Sequence, residues 1–218
     1  MEYTNFETQA IRTQTERSQN REHSTPLYMT SSFVFDDAEQ ARAMFADEVS
    51  GNIYTRFSNP NNSEFIEKMC LMEGAEDGFA TASGMSAVFS SMAPFLNNGD
   101  HLLLCKSVFG SSLQIATQIF PKWGIEHTFA PIDQPEIWES LIKPNTKMVM
   151  IETPSNPALD LIDIEWLATL CKKHNILLNV DNCFATPYLQ CPIKLGADIV
   201  NILLNVDNCF ATPYLQCP

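Results

Sequence analysis

Positive charge is scarce in this sequence: 13 Lys and Arg stand against 26 Asp and Glu in 218 residues, a formal net charge of −13. That balance argues against a surface built for nucleic acid or an anionic membrane. It leaves room for a small phosphorylated ligand, because a few backbone amides can hold a phosphate whatever the overall charge. No apolar run approaches the ~20 residues of a membrane-spanning helix, and the opening MEYTNFETQA is too polar for a secretory signal. The seven cysteines form no C-x-x-C pair, and the four histidines do not cluster with them at metal-ligand spacing. Reduced thiols in a cytoplasmic protein, with no metal site, are the expectation. No G-x-G-x-x-G follows a strand-like run, which disfavours a nicotinamide-dependent enzyme.

What is present is a hydrophobic content of 45% beside 18% charged residues, the balance of an ordinary globular chain. From about residue 63 onward, helix-like and strand-like stretches alternate. Helices are expected over 63–73, 86–96, 111–120 (stopped by Pro121), 135–142 and 160–174 (capped by Asp160). Strands are expected at GFATAS, HLLLC, IEHTFA, KMVMIE, ILLNVD and ADIV. Strands separated by helices of ten to fifteen residues imply an α/β fold, a mostly parallel sheet covered by helices on both faces. Residues 1–60 differ: they are polar, with one expected helix over 36–46 and a turn-rich SNPNNS. They read as an extended N-terminal arm whose aromatic residues, Phe6, Tyr28, Phe33 and Phe35, either pack locally or reach another subunit, while 61–200 form the α/β domain.

The last 18 residues, 201–218, repeat NILLNVDNCFATPYLQCP of 175–192 letter for letter. Two identical copies with no third do not fit a solenoid, which needs about three varied units. The second copy reads as a duplicate standing in place of other sequence, expected either to add an edge strand or to stay loose and aggregation-prone.

Five stretches could carry chemistry, and each has a plainer structural role. In ATASGMSA, Gly84 and Met85 open a helix whose first amides and dipole favour a phosphate, although small residues at such turns also serve packing. In VDNCFATP, Asp181 ends an apolar strand, where it could face a cationic ring nitrogen or cap the amides of Asn182 or Cys183. In ETPSNP, Asn156 could bond a ligand oxygen or make an Asx-turn. In NIYTRFSNP, Tyr54 and Arg56 lie two apart on an extended segment, pointing the same way, as a phosphate-binding pair or a surface pair. In SVFGSS, Phe109 is an aromatic lid over a planar ligand or a core residue. Lys106, after HLLLC, is expected to reach solvent.

In this order, YTRFSNP, SGMSA, SVFG, ETPSNP and VDNCFATP resemble the Cys/Met-metabolism family of pyridoxal-phosphate (PLP) enzymes, whose members include cystathionine γ-synthase, cystathionine β-lyase, methionine γ-lyase and the O-acylhomoserine sulfhydrylases. The resemblance is dense from about residue 25 to 200, roughly the first half of a family chain. It implies the large domain of a fold type I PLP-dependent transferase and a homo-oligomer, dimer or tetramer. The cofactor implied is pyridoxal 5'-phosphate, and the substrates are an O-acylhomoserine with sulfide or cysteine.

The roles it implies are specific. Gly84 and Met85 give amides to the cofactor phosphate, and Tyr54 and Arg56 reach it from the neighbouring subunit. Phe109 stacks on the ring, Asn156 bonds the ring hydroxyl and Asp181 keeps the pyridine nitrogen protonated. Phe109, where most members have Tyr, leans toward the sulfhydrylases that act on O-succinylhomoserine in methionine biosynthesis. The family's Schiff-base lysine is expected six residues after Val200, where Val206 stands; a valine can form no imine, so the resemblance implies an inactive chain with no identifiable catalytic residue. Cystathionine γ-synthase or γ-lyase activity, or a non-catalytic fragment that oligomerises or binds ligand, are the alternatives.

Overall fold

The computed structural model describes residues 5–13 and 17–202. They fall into two compact units, one ending at Ala80 and the other beginning at Thr81.

In the first unit, helices α1 (Phe6–Arg12), α2 (Ala38–Phe45) and α3 (Pro60–Glu73) accompany a long irregular segment. The SNPNNS stretch is the start of α3: Asn59 caps it by accepting from the Asn61 amide, and Pro60 fills the first position, where its missing N–H costs nothing. The helix therefore begins three residues earlier than its apolar spacing suggests. It stops at Gly74, whose left-handed φ of 77° suits glycine. Side chains from the same turn hold the arm, since Asn61 accepts from the Tyr28 amide and donates to the Pro26 carbonyl. The expected 36–46 helix forms as α2, with Asp37 as its cap.

The second unit is a five-stranded sheet in the order β2-β1-β3-β4-β5, every adjacent pair parallel. Its strands are β1 (His101–Cys105), β2 (Glu126–Ala130), β3 (Thr146–Glu152), β4 (Leu177–Asp181) and β5 (Ile199–Asn201). These match five of the six expected strands. The sixth, GFATAS, forms no strand: Phe79 is 80% exposed, and the segment's backbone joins no ladder among the described residues. Alternating small and aromatic residues suit a strand, but without a neighbour to bond they cannot make one.

Helices α4 (Gly84–Ser90), α5 (Gly110–Gln114), α6 (Trp138–Leu141), α7 (Ile164–His174) and α8 (Thr186–Leu189) complete this unit. Three differ from expectation. The 86–96 helix ends at Ser90, and Pro94 sits in a separate tight turn over Ala93–Phe95, since a proline has no amide to continue the ladder. Over 111–120 the chain is regular α-helix only to Gln114, then widens through Ile115–Ile119 and tightens over Phe120–Trp123, so Pro121 lies inside the last turn instead of ending the helix before it. The cap of α7 is Asp163, which accepts from the Trp166 amide at 2.9 Å; Asp160 is engaged with Ser155.

β1 is buried along its whole length, and Leu102, Leu103, Leu104, Met148, Met150, Ile151, Leu178 and Val180 form the core with Leu167 of α7. The chain runs outward from β1 to β2, then returns to place β3 on the other side of β1. In a parallel sheet that reversal opens a crevice at the carboxyl ends of the two divergent strands, here β1 and β3, and ligands of such sheets bind there.

Candidate functional site at the carboxyl edge of the sheet

The strands end at Cys105, Glu152, Asp181 and Asn201, and parallel pairing puts those ends on one edge. Phe109, 40% exposed, follows β1 by four residues and opens α5. Asn156 follows β3 by four, in a loop bracketed by cis peptide bonds before Pro154 and Pro157. Asp181 is the last residue of β4 and only 6% exposed. The structure thus brings Phe109, Asn156 and Asp181 to one edge of the second unit. Gly84 and Met85 are the first two residues of α4, which packs on α5 and β5. The α-helical pattern gives their amides no acceptor within the helix, whereas Ser86 donates to the Ser83 hydroxyl at 3.2 Å.

Burial pushes the Asp181 carboxyl up from its ordinary range, while hydrogen bonding to Cys183 pulls it down. The Cys183 amide reaches Asp181 Oδ1 at 3.1 Å, so the loop-capping role is real and leaves the carboxylate at the strand end. Asn156 is half-buried, and its backbone favours the ionised form of an acid that the local motifs do not single out, Glu152.

Glu152 is 4% exposed and lies beside Asp181 in the β3–β4 register. Its Oε2 accepts from the Phe109 amide, and that bond and the nearby Asn156 backbone favour its ionised form. Burial, then the Asp181 charge, raise its carboxyl to about 7. The signal for it lies in ETPSNP itself: an ionisable residue closing a fully apolar strand. Among the described residues neither carboxylate forms an ion pair with Lys or Arg. Two buried acids without a counter-cation fit a ligand that brings a positive ring nitrogen, and an exposed aromatic face nearby fits a planar ring. Lys106, next after β1, is exposed. No group of three or more His, Cys, Asp and Glu among the described residues is placed to hold a metal ion.

Tyr54 and Arg56 belong to the first unit. They come together, but not on an extended strand. Tyr54 bridges Ser32 in an antiparallel pairing, and the chain then turns, with the Phe57 and Ser58 amides both donating to the Tyr54 carbonyl. The Arg56 guanidinium lies 5.3 Å from the centres of the Tyr54 and Phe57 rings, a cation–π sandwich around the turn. Val206 lies outside the described residues, as does all but the first two residues of the second copy.

The model of the family described as "Cys/Met metabolism PLP-dependent enzyme" matches residues 7–201. An O-succinylhomoserine sulfhydrylase of Pseudomonas aeruginosa is 45% identical over 195 residues, covering 89% of this chain and 48% of that protein. An L-methionine γ-lyase of Porphyromonas gingivalis is 41% identical over 178 residues, covering 81% of this chain and 45% of its own length. Among solved structures, a protein assigned as an O-acetylhomoserine (thiol)-lyase from Campylobacter jejuni superposes with a TM-score of 0.88 at 32% identity, covering 93% of this chain and 50% of that one; it carries N'-pyridoxyl-lysine-5'-monophosphate. The chain spans about half the length of the curated relatives it matches. With the family model covering most of its length, the chain belongs to the Cys/Met metabolism PLP-dependent enzyme family.

Proposed function

We propose that this chain is the cofactor-binding part of an O-succinylhomoserine sulfhydrylase, in which sulfide takes the place of succinate on the γ-carbon of O-succinylhomoserine to give homocysteine. The observation that carries the reading is the buried Asp181 at the end of β4, with Phe109 and Asn156 at the same edge. Pyridoxal 5'-phosphate, bound there, would supply the electron sink that makes γ-replacement on an amino acid accessible. Asp181 would accept a hydrogen bond from the ring nitrogen and keep it protonated; the cation would in turn offset the burial that raises the Asp181 carboxyl. Phe109 would cover one ring face, Asn156 would orient the ring hydroxyl, and the Gly84 and Met85 amides would hold the phosphate. Tyr54 and Arg56 would meet that phosphate from a second copy of the chain, in a homo-oligomer. With Val206 at the position expected for the Schiff-base lysine, this chain would bind the cofactor without turning over substrate.

The 45% identity to the sulfhydrylase supports this choice, while the 41% identity to a methionine γ-lyase keeps elimination as a second reading. The test is a titration of the purified chain with pyridoxal 5'-phosphate, followed by borohydride reduction and peptide mass spectrometry. Saturable binding, weakened at least tenfold in Asp181→Asn, with no lysine modified after reduction, is the expected result. Failure of the cofactor to bind at millimolar concentration overturns the reading.

A further inference from the structure

We propose that Gln190 is a positioning residue for this site: its side-chain amide, paired with that of Asn182, ties the root of the loop that carries Asn156 to the chain leaving β4 directly after Asp181. What this brace serves rests on the cofactor reading above; the brace itself stands on the geometry.

The β3–β4 ladder ends with Glu152 opposite Asp181. From there β3 runs into Thr153 and the loop with Asn156, and β4 runs into Asn182 and α8. Gln190 closes α8, its backbone amide donating to the Thr186 carbonyl. Its Nε2 reaches both strand exits, donating to the Thr153 carbonyl at 2.8 Å and to Asn182 Oδ1 at 2.8 Å. Asn182 donates in return, from Nδ2 to the Gln190 carbonyl at 2.9 Å. A backbone carbonyl can only accept, so each side-chain amide must turn its nitrogen to the carbonyl it meets, which leaves Asn182 Oδ1 to face Gln190 Nε2. The pair therefore fits in one orientation of both groups.

The residues at either end of the brace are themselves fixed. Thr153 and Asn182 are buried. The Thr153 amide donates to the Asp181 carbonyl at 3.3 Å, and the Asn182 amide to the Asn201 carbonyl of β5 at 2.9 Å. Beyond Thr153 the loop is braced within itself: the Ser155 amide donates to the Asp160 carbonyl, the Asp160 amide to the Ser155 hydroxyl, and the Ile162 amide to the Thr153 hydroxyl. A loop that is stiff within itself takes its position from its root. Holding the Thr153 carbonyl thus sets where Asn156 stands relative to Asp181. A planar ring held at its nitrogen by Asp181 and at its hydroxyl by Asn156 needs those two groups at one spacing, and small misplacements of positioning groups are costly.

Gln190→Met keeps the length of the side chain and removes both donated hydrogen bonds. Titrated with pyridoxal 5'-phosphate, it should bind about tenfold more weakly than the wild type, the scale of a buried acceptor left without its donor. In an Asn156→Ala background the same substitution should cost less than about twofold, because a group already deleted cannot be misplaced. A role in folding alone would give equal penalties in both backgrounds. In the cofactor-free chain, hydrogen exchange in the peptide around 156 should quicken about tenfold in Gln190→Met while β1 stays protected. Gln190→Asn keeps the amide but loses the reach to both acceptors; it should match Gln190→Met in every readout, and it carries the test if that variant does not fold.

Binding by either variant as tight as that of the wild type overturns the inference, and so do equal penalties with and without Asn156. Unchanged exchange around 156 refutes the brace whatever the cofactor does. Quickened exchange there, in a chain whose wild type binds no cofactor, would refute the proposed function and leave the brace standing.

Discussion

His101 opens β1 with no solvent exposure, its Nδ1 2.7 Å from the Thr146 hydroxyl and its Nε2 2.8 Å from that of Thr128. Burial, and then the charge of Lys143, lower its ring to about 4. The folded state therefore holds it neutral, whereas the unfolded chain protonates it near 6.5. A base whose folded value is depressed contributes stability above the unfolded value and loses it as pH falls toward the folded one. The thermal midpoint should drop between about pH 6.5 and pH 4, and His101→Leu should flatten that drop. At pH 7.5 the same substitution should cost about 1–3 kcal/mol, because it removes two buried hydrogen bonds. An acid slope unchanged in His101→Leu, measured by differential scanning calorimetry, would mean that another group governs it. At this scale the candidate site is only partly legible in the sequence. Asp181 and Phe109 stand out because each interrupts an apolar or small-residue pattern, while Glu152 gains its meaning from Phe109, 43 residues earlier, a proximity that no local spacing encodes.

Among the elements, start and stop signals are clearest where a side chain does the work. Asp163 accepts from Trp166, and Asn175 ends α7 in the left-handed conformation with φ of 55°. Asp163→Ala should cost about 1 kcal/mol, visible as a lower midpoint in urea with an unchanged slope; no shift would mean that the cap adds nothing to α7. Strands buried on both faces are legible as short apolar runs, β1 and β3 above all. Where expectation failed, competition was the cause. GFATAS lacks a pairing neighbour, and the 111–120 helix changes its winding before Pro121 instead of halting there. The duplicated segment shows the same lesson with identical letters. Asn175 heads the first copy as a left-handed helix cap, and Asn201 heads the second as the buried end of β5. Identity of sequence does not fix conformation when the surroundings differ.

Across the whole molecule, the join between the two units falls after Ala80 and follows Phe79, an exposed aromatic on an unladdered segment. Brief digestion with chymotrypsin should cut after Phe79 early, since exposed chain outside regular structure is what proteases take first. Protection of that bond, with cleavage starting elsewhere, would mean that the join is covered in solution. The first unit also leaves Leu27, Met29, Val34 and Phe57 largely exposed, each at 68% or more. In the second unit the apolar residues of β1 and β3 are buried while Phe129, Leu177 and Ile199 pack half-buried against them, and among the described residues no helix is long and apolar enough to cross a membrane.

Deep in the sheet, Asn179 accepts from the side chain of Asn201 at 2.7 Å and donates to the Ser91 hydroxyl at 2.8 Å. β5, the outermost of the described strands on this side, is thereby chosen by a donor–acceptor match as well as by its apolar residues. An aliphatic side chain at 201 would leave the fully buried Asn179 oxygen without that donor, and a slip of one position would do the same. Whatever sequence lies along this flank must therefore present a proton at one defined height, a lock that asparagine happens to open.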